Sequence, residues 1–402
     1  MNILPSTQSG ALPSYLFHQP PCAKPFPHVV EVGDAWGKIG SGIGNECSSE
    51  LTALGEYFER RHFYMEVSSD NRGRLADALG ATESLAFKDA FLQTAQGMAS
   101  PSELDEHIFA LTTANRISDF SSCQIPTITL NLTHSKVDPD NRFYPERDTC
   151  GCSFHISSQS SIFGAIKESL ERQFLTRFWL TKQCNRKWQA SELRALLHGR
   201  STLGLLELLS KAGKVHAFDI SDQRFPGRCV ILIYGNENIS SHVKYCAGMS
   251  YASTLADSIE KSLHELWQTF RFMQLFGALK RSPRDIEDPY LRHFLNANSI
   301  DTFNEISNIS TGSPNLNPLS PYKNNMTIDG LISTLKCLKI EGYLYTKKIN
   351  FFGNYYTFSK FLSPSLFLHM NNSKNINIRN LYSSTFLDKI IPSRQSVMVP
   401  FP

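Results

Sequence analysis

Residues 48–63 read SSELTALGEYFERRHF, and two patterns run through them together. At about 100° per residue, Leu51, Leu54, Phe58 and Met65 make one stripe, while Glu56, Glu59 and Arg60 fall on the opposite side. The spacing predicts a helix with one face that packs and one that presents oxygens. The arrangement returns in AIKESLERQFLTRFW at 165–179, where Ile166, Leu170 and Phe174 oppose Glu168, Glu171 and Arg172. It returns again in SIEKSLHELWQTF at 258–270, where Ile259, Leu263, Leu266 and Phe270 oppose Glu265 and Gln268. A single ExxER is ordinarily a solvated helix face with weak local ion pairs. Glu and Arg each fill about one position in twenty, however, so shuffling gives roughly 0.05 copies of ExxER, and two are present. Glu56 to Glu168 is 112 residues and Glu168 to Glu265 is 97, a spacing that points to a diverged repeat.

If the three polar faces meet, five carboxylates converge, and such a cluster either takes up protons or collects cations. Oxygen ligands with an amide among them suit hard ions, Mg2+ first, which commonly bridges carboxylates to phosphates. Arg60 and Arg172 offer forked donors to phosphate oxygens. The residue types therefore point to nucleotide chemistry.

Upstream, GKIGSGIGNECSS at 37–49 reads as a glycine-rich loop feeding Ser48 or Ser49 as a helix N-cap, an arrangement that favours an anion. It matches neither the P-loop nor the GxGxxG pattern, and the chain carries no HExxH, GxSxG or kinase signature. Downstream, helix and strand signals alternate. Ile128, Leu130 and Leu132 read as a strand, as does CVILIY at 229–234. Residues 202–212 read as a helix stopped by Gly213 and followed by the strand VHAFDI. NYYTFSKFL at 354–362 and SLFLHM at 365–370 are strand-like. Residues 1–35 read as an amino-terminal arm rich in Pro and Ser, suited with the polar late region to partner contacts. Residues 36–402 read as one large α+β domain with a polar loop at about 304–326 and an end stiffened by Pro400 and Pro402.

Composition narrows the class. At 402 residues the chain can bury a large core, and a formal charge of +3 is too balanced for a surface that coats nucleic acid. No uncharged apolar run is long enough to span a membrane. The amino terminus lacks a secretory pattern, and nine cysteines, an odd number, fit free thiols in a reducing compartment, so the expected location is cytoplasmic. Cys150 and Cys152 form a CxC without a second pair at zinc spacing, which favours packing thiols over metal ligands.

With these residues in view, the chain resembles the YcaO-domain family. The family pattern SGKG…A..SAL.E..ER is matched by Ser41-Gly42-Ile43-Gly44, then Ala53-Leu54-Gly55-Glu56, then Glu59-Arg60. Its second E..ER is matched by Glu168, Glu171 and Arg172, and its E..Q by Glu265 and Gln268. GEYFERRHF at 55–63, DTCGCSFH at 148–155, FLHMNNS at 367–373 and the terminal MVPFP extend the likeness to cyclodehydratases of the microcin B17 type.

The resemblance implies a YcaO-type fold, with mixed sheets and repeated helix and strand units converging on a nucleotide site. It implies an ATP- and Mg2+-dependent cyclodehydratase that phosphorylates backbone amide oxygens and turns Cys and Ser of a precursor peptide into thiazoline and oxazoline rings. ATP is then a co-substrate. The implied partners are a precursor rich in Gly, Ser and Cys, a leader-binding subunit related to ubiquitin-activating enzymes and an FMN-dependent azoline dehydrogenase, in a hetero-oligomer.

By the same likeness Glu56, Glu59, Glu168, Glu171, Glu265 and Gln268 hold Mg2+ directly or through water. Arg60, Arg172, Ser153, Lys38, Glu56 and Glu168 contact ATP, Arg172 and Pro402 act in catalysis, and His155 meets the substrate. Ser153 and His155 read equally as a turn serine and a packed histidine. Ile43 departs from the family lysine, so either Lys38 reaches in or that phosphate contact is absent. Thioamide or amidine formation at the same pocket, and a non-catalytic nucleotide-binding scaffold, are the competing functions.

Overall fold

In a computed structural model, the structure describes residues 13–19, 21, 26–34, 39–133, 138–286, 288–312, 325–351 and 353–401. Three helices carry the acidic faces, and each lies on a sheet of its own. The first, Glu46–Met65, packs on a three-stranded antiparallel sheet of Tyr15–Gln19, His28–Gly33 and Ile39–Gly44. The second, Ser158–Thr181, packs on the strands Asn354–Leu362 and Cys152–His155 of a six-stranded sheet. The third, Leu255–Ala278, covers Arg228–Gly235 and Tyr245–Ala252 of a four-stranded antiparallel sheet that Lys214–Asp219 and Arg186–Gln189 complete. Burying one face on a sheet leaves each helix with its other face turned away from that sheet.

The residues that make these layers are apolar at helical or strand spacing. Ile166, Leu170 and Phe174, like Ile259, Leu263 and Leu266, have no exposed surface, and they join Val230, Leu232 and Ile233 of the four-stranded sheet in the main core. The first helix departs from its expected stripe. Leu51 and Met65 are exposed, and Ser49, Ala53, Tyr57 and Phe63 are the residues fully buried. The cause lies in the strand beneath. A Cβ on Gly40 would fall 2.1 Å from the carbonyl oxygen of Ala53, and one on Gly42 1.9 Å from that of Ser49. The GSGIG glycines thus let a helix backbone lie directly on a strand. The helix begins at Asn45, whose Oδ1 accepts the Ser48 N–H at 2.9 Å, one turn before the expected serine cap.

Other expectations change for similar reasons. Within the expected amino-terminal arm, Tyr15–Gln19 and His28–Gly33 are strands, and Val30 and Val32 are buried. Ile128, Leu130 and Leu132 are buried as their alternation suggested. The backbone turns there as a 3-10 helix at Thr127–Thr129, with the Leu130 and Asn131 N–H groups both donating to Thr127. Helix Ile300–Ser307 enters the expected polar loop, most of which lies outside the described residues.

SLFLHM is buried but pairs with no strand. The Phe367 N–H donates to Gln173 Oε1 at 2.8 Å, the Leu368 N–H to Asn377 Oδ1 at 3.0 Å and the Met370 N–H to Asp148 Oδ2 at 2.8 Å. Side chains take the place of a ladder. The CVILIY and NYYTFSKFL strands and the helix 203–212 that stops at Gly213 are where the pattern put them.

The carboxyl-terminal residues run without regular structure yet are buried. Trp179 Nε1 donates to the Val397 carbonyl at 2.6 Å, Asn372 Nδ2 donates to Arg394 and Val397 at 2.6 and 2.7 Å, and the Tyr245 hydroxyl donates to Pro400 at 2.8 Å. Val399 and Phe401 are 4% and 5% exposed, so the tail is part of the wall it lies against. Pro402 lies outside the described residues.

Candidate active site

Ser41 ties the first acidic helix to the third. Its N–H donates to Glu56 Oε2 at 2.6 Å, and its Oγ accepts Gln268 Nε2 at 2.6 Å. Arg60 pairs with Glu56 one turn away and donates to the Ile39 carbonyl at 3.0 Å, so its guanidinium is fixed to the glycine strand. On the second helix, Glu171 is 8% exposed; its Oε2 accepts the Tyr251 N–H at 2.6 Å and stands 3.4 Å from Lys167 Nζ. Arg172 is 3.8 Å from Glu168 and lies over the Phe401 ring, 5.9 Å from its centroid. The helix face and the tail therefore meet at one guanidinium.

The acids of the three helices feel one another. Burial pushes the Glu59 carboxyl well above its ordinary value, and the charges of Glu168 and Glu56 push it further. Glu168 is pushed up to about 8, first by burial; Arg172 opposes this and Glu171 adds to it. Glu265 stays open to water at the cleft mouth, yet the protein packed around it, then Glu171 and Glu56, push it to about 7. Glutamates more than a hundred residues apart in sequence thus share one electrostatic neighbourhood.

Among the described residues, no three of these acids stand close enough to grip one ion together. That geometry suits Mg2+, which usually takes one or two protein carboxylates and fills its octahedron with waters and substrate phosphates. Carboxyls that hold protons because burial, and then their neighbours, disfavour the charged form are the donor chemistry a divalent cation relieves.

The other expected residues are placed as follows. Ser153 lies at the amino-terminal half of the second helix, where a Cβ on Gly164 would come within 2.5 Å of its Oγ. His155 is exposed, and its Nδ1 accepts the Ser157 N–H at 3.0 Å, the contact of a turn histidine; none of its described contacts reaches the acids. Lys38 lies outside the described residues. Ile43 packs against the main core, so no ammonium stands at that position. Cys150 and Cys152 are buried, and burial pushes both thiols well up, which keeps them protonated and inert.

The structure adds two lysines. Lys167 faces Glu171, and Lys360, 5% exposed, acts electrostatically on Glu59 from the sheet side. Lys167 precedes Glu168 and was open to notice in sequence. Lys360 sits in a strand with no local signal. Asp148 is a third addition; it accepts the Cys150 and Met370 N–H groups and so joins DTCGC to FLHM behind the second helix.

A mixed α and β fold in which acids and arginines from three helices act on one another is a candidate nucleotide site. The family model described as YcaO cyclodehydratase, ATP- and Mg2+-binding, matches residues 40–337, and the chain belongs to that family: it is an ATP- and Mg2+-dependent cyclodehydratase. It is similar to the Microcin B17-processing protein McbD of Escherichia coli, with 32% identity over 362 residues, 90% of each chain. A chain of the Escherichia coli microcin synthetase McbBCD complex with pro-MccB17 bound superposes with a TM-score of 0.88 at 31% identity, covering 98% of both. YcaO from Methanopyrus kandleri bound with AMPPCP and Mg2+ shares the fold, with a TM-score of 0.57 at 10% identity over 89% of this chain and 87% of that one.

A pH dependence follows. In the unfolded chain these carboxyls titrate near 4.5, whereas in the fold Glu168 and Glu265 titrate near 8 and 7. Between those values the folded state holds more protons, so without metal its stability falls as pH rises through the folded values. Cation binding needs the deprotonated acids and removes that penalty. The rise in melting temperature given by Mg2+ with a non-hydrolysable ATP analogue is therefore expected to grow from about pH 6 to about pH 8.5 by thermal-shift measurement.

Proposed function

We propose that this cyclodehydratase acts on Cys and Ser of a precursor peptide rich in Gly, Ser and Cys, forming thiazolines and oxazolines during the making of an azole-modified antibiotic. The reading is supported by the extent of the likeness to McbD and by the acid cleft beside Arg172. The side chain of Cys or Ser adds to the preceding carbonyl carbon, and the amide oxygen then takes the terminal phosphoryl group of ATP. An amide oxygen is a poor leaving group, and as phosphate it departs, leaving the C=N bond of the ring.

Within this reading Glu56, Glu59, Glu168, Glu171, Glu265 and Gln268 hold Mg2+ directly or through water. When bound, Mg2+ offsets charge on the transferring phosphoryl group. Arg172 and Arg60 fork onto phosphate oxygens, and their fixed partners, the Phe401 ring and the Ile39 carbonyl, hold those forks in place before substrate arrives. Pro402, named by the family likeness, is the residue to which this reading gives the positioning of a reacting group.

The same reading gives the chain partners and a place. It works in a hetero-oligomer with a leader-binding subunit related to ubiquitin-activating enzymes and an FMN-dependent azoline dehydrogenase, in the cytoplasm. Among the described residues no helix is long and apolar enough to cross a membrane. The edge strand Tyr15–Gln19 exposes Tyr15, Leu16 and Phe17 in succession, at 46%, 43% and 50%, and such an edge suits a partner subunit.

The carrying observation is the convergence of Glu59, Glu168 and Glu265 from three helices on one cleft. The test is to mix the chain, the two partner subunits, ATP, Mg2+ and precursor, and to follow the peptide by mass spectrometry. Loss of one water per ring, dependent on ATP, is expected. Exchange of oxygen for sulfur would instead mark thioamide formation, and an unchanged peptide would leave a scaffold.

A further inference from the structure

Residues 367–372, most of the FLHMNNS run, are buried yet belong to no strand or helix, and the cleft acids do not account for them. Gln173, next to Arg172, grips this segment twice, accepting the Phe367 N–H at 2.8 Å and donating to the Phe367 carbonyl at 3.0 Å. Asp148 Oδ2 accepts the Met370 N–H at 2.8 Å. So held, Met370 brings its Sδ to 4.0 Å from Arg172 Nη1. The Phe401 ring meets the same guanidinium, with 5.9 Å to the ring centroid. Arg172 thus rests against a sulfur and a ring from two separate segments. Its side chain keeps 19% of its surface open, so a substrate oxygen can reach it.

Asn372, 1% exposed, joins those two segments. Its Nδ2 donates to the Arg394 carbonyl at 2.6 Å and to the Val397 carbonyl at 2.7 Å, which uses both amide hydrogens. Neither carbonyl depends on it. The Arg394 carbonyl also accepts the Val397 N–H at 3.3 Å, and the Val397 carbonyl also accepts Trp179 Nε1 at 2.6 Å. What the amide adds is a fixed offset between the segments, since Met370 lies two residues before Asn372 and Phe401 four residues after Val397. Trp179 and Arg172 are seven residues apart on one helix, which is about 10 Å on nearly the same face. The tail therefore runs back along the second helix from Trp179 to Arg172. A slip of one residue, about 3.3 Å of extended chain, would carry the ring off the guanidinium.

We propose that Asn372 is a positioning residue for the cyclodehydratase reaction: it fixes the register of residues 394–401 along the second acidic helix, so that the Phe401 ring meets Arg172 beside Met370. The role is exerted through the tail and not by contact with substrate. The inference rests on Arg172 acting in the reaction.

The test uses the full chain with its partner subunits, ATP, Mg2+ and precursor. Asn372→Leu keeps the size of the side chain and leaves each carbonyl its other donor, so circular dichroism should be unchanged. It is expected to lower kcat about 10- to 100-fold while both KM values stay within about 3-fold. With 4-fluorophenylalanine at position 401, the fluorine resonance is expected to move when Asn372→Leu is added. A glycine inserted between Val397 and Met398 leaves Asn372 and its bonds in place but shifts the ring, and should give a similar loss of kcat. Wild-type kcat in Asn372→Leu overturns the proposal, as does a loss of kcat with the fluorine resonance unmoved. Should Asn372→Leu fail to fold, the insertion decides, and full rate there overturns the proposal. Wild-type rate in Arg172→Met would bring down the reading of Arg172 and the proposal together. Loss in Arg172→Met with full rate in Asn372→Leu brings down the proposal alone.

Discussion

Glu171→Gln is expected to lower ring formation by about 100-fold or more while leaving the chain folded, the scale on which removal of one charge-stabilising group acts in other enzymes. The side chain is buried, and its Oε2 accepts the Tyr251 N–H, a bond that the amide oxygen of glutamine can keep. What glutamine cannot keep is the charge. Lys167 loses its partner, and the cleft loses one of the negative charges that raise Glu168 and Glu265. Those two acids should then titrate lower, and the affinity for Mg2+ with the ATP analogue should fall in parallel with the rate. The measurements are the rate of water loss by mass spectrometry, analogue binding, and circular dichroism to confirm the fold. Glu192→Gln, which breaks a surface pair with Arg186, is the control and should change none of them. Full activity in Glu171→Gln would remove this glutamate from the metal reading, whatever the rest of the cleft does.

That prediction could be framed before any coordinates, because helical periodicity is local: Glu168, Glu171 and Arg172 fall on one face whatever surrounds them. Their opposite face, Ile166, Leu170 and Phe174, was equally legible and is fully buried. The first helix shows where legibility ends. Its packing ridge is set by Gly40 and Gly42, which press its backbone onto a strand, so Ala53 and Tyr57 are buried in place of Leu51 and Met65. SLFLHM has the period of a strand, but Gln173, Asp148 and Asn377 satisfy its backbone, two of them from distant parts of the chain. Lys360 carries no local pattern at all. A lysine in a hairpin strand comes to act on Glu59 only when the chain closes, because the two lie in segments 301 residues apart. Ser153 and His155 were named from the family likeness and not from a local pattern; their strand, Cys152–His155, pairs with Asn354–Leu362 and lies against the first and second acidic helices.

Phe401→Ala is expected to lower ring formation by about 100-fold with a small change in melting temperature, since misplacing a reacting contact by about an ångström has that effect. A buried phenylalanine cut to alanine in a closed core costs about 3–5 kcal/mol. The residues from Gln395 to Phe401 run without helix or strand, so this segment can release locally and the global fold need not bear that cost. The loss then appears at Arg172, whose guanidinium rests on the Phe401 ring at 5.9 Å and is only loosely paired with Glu168 at 3.8 Å. Without the ring, Arg172 swings between carboxylates, and the effect should fall on kcat more than on KM, because ATP keeps its other contacts. Phe401→Tyr retains the platform and should retain most of the rate. Tyr245→Phe removes the hydroxyl that holds the Pro400 carbonyl and should act in the same direction but more weakly, by about 10-fold, the scale of one hydrogen bond. If Phe401→Ala turns over at the wild-type rate, the tail is a passive wall and Arg172 is placed by its own helix.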